Sequence, residues 1–198
     1  MPPASRLCGR RSARYISAMS AEIPKNIVLV GFMGCGKSTI SRRLGAMLGY
    51  TVVDVDEEVE AKAGMPITGI FETRGENYFR QLEAAVLQEI GSRPGRHIIA
   101  TGGGAIGRKR NRRLIRQLGY VVWLQVSREV ILQRTRRNRD RPLLRTRDPE
   151  ARIKRLLAER EPLYREVADL ELDTTGLDAE EIACGILESA RYHFTSGA

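Results

Sequence analysis

The chain has 198 residues, 42% of them hydrophobic, enough to build the core of one α/β domain without disulfide or zinc staples. Only 6% are aromatic, which argues against a base-stacking RNA surface, and no apolar run approaches the ~20 residues needed to span a bilayer. The net charge of +9 sets 33 basic residues against 24 acidic ones, but Arg6, Arg10, Arg11 and Arg14 lie in the acid-free residues 1–20, so the body carries a modest excess. Such an excess suits polyanionic ligands and gives little support to nucleic-acid binding. Cys8, Cys35 and Cys184 are odd in number and lack metal-ligand spacing, which fits a reducing, cytoplasmic setting.

Residues 1–22 form a basic, Ser-bearing tail expected to be disordered. A transit segment for organellar import has this composition, but a disordered tail, or an upstream start with Met19 as the working one, is the plainer reading. Residues 23–198 are expected to form the single working domain. Residues 26–30 are a β-branched apolar run ending at Gly31, which predicts a buried parallel strand. From Lys37 the spacing of Ile40, Leu44 and Leu48 predicts a helix that Gly49 closes. Strand follows over 51–54. Helix follows over 76–91, with Phe79, Leu82, Val86 and Ile90 as its stripe and Gly91 as its stop.

A third strand is predicted over 97–101, a polar helix over 109–118, and a fourth strand over 120–126. Ser127 is a suitable cap for the next helix. Residues 136–149 are charged and aperiodic and contain Pro142, which predicts a mobile lid. Helix over 150–167, strand over 170–173 and a last helix from Asp178 complete the chain. Strands alternating with helices predict a three-layer α/β fold around a parallel sheet of about five strands.

Gly31-Phe32-Met33-Gly34-Cys35-Gly36-Lys37-Ser38 has the P-loop pattern between a predicted strand and a predicted helix, the context that gives the motif meaning. Gly34, Cys35, Gly36 and Thr39 would present backbone N–H groups to phosphates, Lys37 would reach the β- and γ-phosphates, and Ser38 would face Mg²⁺. Asp54 and Asp56, two apart at the end of a strand, would share one face of the cleft. One suits the metal's water shell and the other an acceptor hydroxyl, although a pair of solvated helix-opening acids is the plainer alternative. Arg80 and Glu83 are spaced to pair on a helix, either as a surface bridge or as part of a site. Three glycines at 102–104 suggest close approach of a ligand to the backbone, or a tight turn.

With these residues in place the sequence resembles the shikimate kinases. The resemblance extends from about Asn26 to about residue 190 and includes the P-loop, Asp54-Val55-Asp56, residues 70–83, Gly102–Gly104, Arg141-Pro142-Leu143-Leu144, Arg160–Tyr164 and Asp173-Thr174. It implies a P-loop NTPase fold like that of nucleoside-monophosphate kinases and ATP-dependent phosphorylation of the shikimate 3-hydroxyl, with Mg²⁺. It implies that Asp56, Arg80, Gly103, Gly104 and Arg160 bind shikimate, with Asp56 as base and the two arginines clamping the carboxylate. Asp54 would serve the Mg²⁺ shell, Arg141 would close over the phosphates, Arg134 would lie near adenine, and Glu83 would orient Arg80.

Cys35 stands where the family more often has Ala, Ser or Thr, either as a structural thiol or as one whose oxidation blocks ATP binding. The expected partners are ATP and shikimate, with no nucleic acid and no membrane, and the expected state is a monomer. Gluconate kinase and nucleoside-monophosphate kinase are the neighbouring readings, and a catalytically dead binding module is the reading from another class. The basic run at Arg108, Lys109, Arg110, Arg112, Arg113 and Arg116 is expected to be a solvated helix face.

Overall fold

The computed structural model describes residues 24–136 and 148–195. Five parallel strands form one sheet: β1 (Asn26–Val30), β2 (Thr51–Asp54), β3 (His97–Ala100), β4 (Tyr120–Gln125) and β5 (Leu170–Asp173), in the order β2-β3-β1-β4-β5. All five residues of β1 are buried because both faces of the sheet are covered, which is why the strand is continuously apolar rather than alternating. Val28 and Val30 face one cluster, with Val59, Ile70, Leu87 and Val167, whereas Ile27 and Leu29 face another, with Ile40, Leu44, Ile182 and Ile186.

The first cluster is covered by helices α2 (Val55–Ala63), α3 (Ile67–Thr73), α4 (Gly75–Ser92), α5 (Lys109–Leu118) and α7 (Pro149–Val167). The second is covered by α1 (Lys37–Leu48) and α8 (Ala179–Thr195). A third cluster joins Phe32 and Met33 of the P-loop to Ile131 of α6 (Arg128–Arg136) and to Ile153 and Leu156 of α7. β1 lies between β3 and β4: from β1 the chain runs to β2 and back to β3 on one side, then crosses to β4 and β5 on the other. The carboxyl ends of β1 and β3 flank the resulting crevice, where open α/β sheets take their ligands.

Several boundaries differ from the sequence reading, each for a physical reason. Helix α2 starts at Val55, directly after β2, so Asp56 stands in a helical first turn and does not share a strand face with Asp54. Asp54 adopts extended backbone and caps that helix, its side chain accepting from the Asp56 N–H, which halts the strand's alternation. Helix α4 continues through Gly91 to Ser92 and ends at Arg93, which is extended as the residue before Pro94 must be. Residues 136–149 are not wholly aperiodic: α6 includes Arg136, Asp148 caps α7 by accepting from the Ala151 N–H, and Pro149 takes the first helical position. Residues 137–147, with Arg141, and the tail at 1–22 lie outside the described residues. On basic helix α5, Arg112 is not a solvated charge; its Nε lies 2.9 Å from Glu166 of α7 and its side chain is 13% exposed. Among the described residues no helix is long and apolar enough to cross a membrane.

Candidate active site

The P-loop wraps from β1 into α1 through two left-handed residues, Gly34 at φ 81° and Gly36 at φ 99°, a conformation costly for any residue with a Cβ. No side chain caps α1, so its positive dipole end faces the crevice. Lys37 folds back across the loop, its Nζ donating to the carbonyls of Gly31 at 2.8 Å and Phe32 at 3.0 Å. Those neutral partners position the ammonium without cancelling its charge. Ser38 Oγ donates to Asp54 Oδ2 at 2.9 Å, while Asp54 Oδ1 accepts from the Asp56 N–H at 3.0 Å. Two hard oxygen donors are thereby held side by side at the mouth of the loop, a donor set that fits Mg²⁺ completed by phosphate and water.

A cavity of about 430 Å³ opens over this loop, lined by residues 33–40 and by Asp54, Asp56, Thr101, Gly103, Arg134, Thr174, Leu177, Ala179 and Ile182. Arg134 Nη1 donates to the Gly34 carbonyl at 2.8 Å, placing a guanidinium on the loop's outer side. Cys35 is 3% exposed and packs in the core cluster with Ile40 and Leu44, its sulfur 3.6 Å from Lys37 Nζ. Burial beneath the loop favours the structural-thiol alternative.

The three consecutive glycines are explained by what occupies the space a side chain would need. A Cβ on Gly102 would lie 2.7 Å from Asp56 Oδ1 and 2.8 Å from Glu83 Oε1. A Cβ on Gly103 would meet the P-loop backbone, 3.1 Å from Met33 N. On Gly104 it would lie within 2.8 Å of the Arg80 guanidinium carbon and closer still to Nη2. One turn therefore carries the acidic pair, the phosphate loop and the arginine on three successive residues.

Arg80 and Glu83 are not a surface bridge. They are 8% and 0% exposed, and Arg80 Nη1 donates to both Glu83 oxygens at 3.0 Å. Glu76 accepts from Arg80 Nη2 at 3.2 Å, and Asn111 Nδ2 donates to Glu83 Oε2 at 3.3 Å. Burial pushes the Glu83 carboxyl up to about 7; the Arg80 charge opposes the rise and the nearby Asp56 charge adds to it. On the opposite wall Arg160 Nη1 donates to the Gly103 carbonyl at 3.0 Å, with its guanidinium 5.7 Å from the Phe32 ring centre.

The structure thus brings together Gly34, Cys35, Gly36, Lys37, Ser38, Thr39, Asp54, Asp56, Gly103 and Arg134 around one cavity. Arg80, Glu83, Gly104 and Arg160 adjoin it through the glycine turn. Sequence reading gave no role to Asn111, nor to Tyr164 beyond its place in the 160–164 motif. Both had a legible signal: Asn111, Ile115 and Leu118 form the buried stripe of α5, and Ile153, Leu156, Tyr164 and Val167 that of α7. A polar group on such a stripe must find a partner inside the protein.

Comparison with known proteins gives a consistent result. The family model described as shikimate kinase matches residues 33–191. A shikimate kinase from Halorhodospira halophila is 49% identical over 166 residues, covering 84% of this chain and 93% of that protein. One from Thioalkalivibrio sulfidiphilus is 46% identical over 168 residues, covering 85% and 86% respectively. The solved shikimate kinase from Acinetobacter baumannii in complex with shikimate superposes with a TM-score of 0.83 at 43% identity, covering 92% of this chain and 98% of that one.

Proposed function

The chain belongs to the shikimate kinase family, and from that premise we propose how its own residues perform ATP-dependent phosphorylation of the shikimate 3-hydroxyl. Phosphoryl transfer asks a protein mainly for alignment and charge neutralisation. The P-loop amides and the amino end of α1 cradle the phosphates, and Lys37 spreads its charge over the group in transit. Ser38 and Asp54 hold Mg²⁺, whose charge offsets that of the phosphate oxygens when it is bound. Arg134 and the apolar stretch at Leu177, Ala179 and Ile182 flank the nucleotide. Arg141, outside the described residues, is assigned to the phosphates on sequence resemblance.

On the acceptor side, Arg80 and Arg160 take the carboxylate, for which a planar guanidinium offers paired donors. Glu83 and Asn111 keep Arg80 aimed, and Gly103 and Gly104 line the ring with backbone. Asp56 receives the proton from the attacking hydroxyl. The observation that carries this reading is the glycine turn, which sets Asp56 and Arg80 directly against the phosphate loop. A monomer in the cytoplasm is the proposed working form, in keeping with three cysteines that are odd in number and lack metal-ligand spacing.

A coupled assay of ADP release with shikimate, gluconate and nucleoside monophosphates tests the assignment. Turnover is expected with shikimate; turnover with gluconate alone would overturn it. Asp56→Asn is expected to lower kcat by ~10²–10⁴-fold, the usual worth of a positioned base. A variant that keeps wild-type kcat would remove Asp56 from the proton path.

A further inference from the structure

The Gly103 carbonyl accepts two hydrogen bonds from α7, from the Tyr164 hydroxyl at 2.6 Å and from Arg160 Nη1 at 3.0 Å. A carbonyl has two lone pairs, so its accepting capacity is filled. The two donors differ in kind. Tyr164 is 3% exposed and its ring stacks on Trp123, with centroids 5.6 Å apart and planes at 23°, so the hydroxyl is fixed. Burial raises its pKa far above the usual phenol range, which keeps it a neutral donor. Arg160, one helical turn earlier, is only partly buried and carries a cation that suits an anionic ligand better than a carbonyl.

If Arg160 were the only donor, turning toward a carboxylate would strand a partly buried carbonyl, and that loss would be subtracted from the binding gained. With Tyr164 holding the shorter bond, Arg160 can leave a satisfied carbonyl behind, giving up only its own bond and its contact with the Tyr164 hydroxyl. The Gly103 carbonyl also belongs to the residue packed against the P-loop backbone, so the turn must stay in place while Arg160 moves. We propose that Tyr164 is a positioning residue for acceptor binding: its hydroxyl retains the Gly103 carbonyl so that Arg160 is free to engage the acceptor's carboxylate. The proposal rests on the reading of Arg160 as a carboxylate ligand given above.

Tyr164→Phe in the full chain removes the hydroxyl and keeps the ring against Trp123. The KM for shikimate is expected to rise about five- to tenfold, the worth of one hydrogen bond in a partly buried site. The KM for ATP and kcat are expected to stay within about twofold. In an Arg160→Ala background the same substitution should change the shikimate KM by less than about twofold, because its effect passes through Arg160. An unchanged shikimate KM in the single variant overturns the proposal. So does an equal rise in both backgrounds, or a parallel rise in the ATP KM that tracks a lower melting temperature, since either marks a purely structural hydroxyl. A wild-type shikimate KM in Arg160→Ala alone would instead sink the carboxylate assignment, and the proposal with it.

Discussion

Added carbon at Gly104 is the most direct probe of the proposed acceptor wall, because the three atoms nearest to it all belong to the Arg80 guanidinium. Arg80 cannot yield easily: it is pinned to Glu83 and Glu76 and is 8% exposed. Gly104→Ala is therefore expected to raise the KM for shikimate by roughly ten- to a hundredfold, the worth of a charge-assisted hydrogen bond displaced from its line. Gly107→Ala, where nothing lies within 4 Å of the new carbon, is the control and should leave that KM near wild type. Steady-state kinetics on the two variants check the claim; equal effects would show that the turn objects to any side chain. At this scale the sequence was most informative where a residue type has few uses. Lys37, Ser38 and the loop glycines were legible because the motif sits between strand and helix. The depth of the Arg80–Glu83 pair was not, because i,i+3 spacing is the same for a solvated bridge and for a buried one.

Helix α7 links two parts of the site. Ile153 and Leu156 pack on the P-loop residues Phe32 and Met33, and the next turns carry Arg160 and Tyr164 to the glycine turn. Its amino end is fixed by Asp148, which accepts from the Ala151 N–H at 2.9 Å. Asp148→Ala is expected to cost about 1 kcal/mol, the typical worth of an N-cap, seen as a lower urea midpoint with an unchanged m-value. A midpoint equal to wild type would mean that packing on the P-loop alone sets the start of α7. Long, strongly periodic elements such as α4 and β1 were readable from sequence. Helices α2 and α3 were not, since α3 buries only Ile70 and α2 only Val55 and Val59, too few positions to establish a period. The start of α2 was legible only as the alternative of helix-opening acids, because Asp54 ends a strand and caps a helix in the same residue.

For the whole molecule, the buried Glu83 couples folding to pH. Burial pushes its carboxyl up to about 7 from an ordinary 4.5, so between those values the folded state keeps a proton that the unfolded chain releases. Its contribution is fully present below pH 4.5 and is lost as the pH rises through 7. The stability of wild type relative to Glu83→Gln is therefore expected to fall between pH 5 and pH 8, measured by denaturant unfolding at both values. A pH-independent difference would show that the Arg80 charge holds Glu83 ionised throughout. The layered fold was legible from alternating strands and helices, but the strand order was not, because nothing local states that β1 takes β3 on one side and β4 on the other. That order is what creates the crevice, and it rests on burial summed over the whole sheet.

The glycine turn also bears on how such a chain can diversify. Its three residues form a partition one backbone thick between the phosphate loop and the proposed acceptor side, with a different functional group pressed against each missing side chain. A pocket for a smaller acceptor cannot be made by filling this wall, since each addition damages a separate part of the machinery. Natural or laboratory variation in acceptor choice is therefore channelled to the other walls, and a saturation library across Gly102, Gly103 and Gly104 should return almost nothing but glycine.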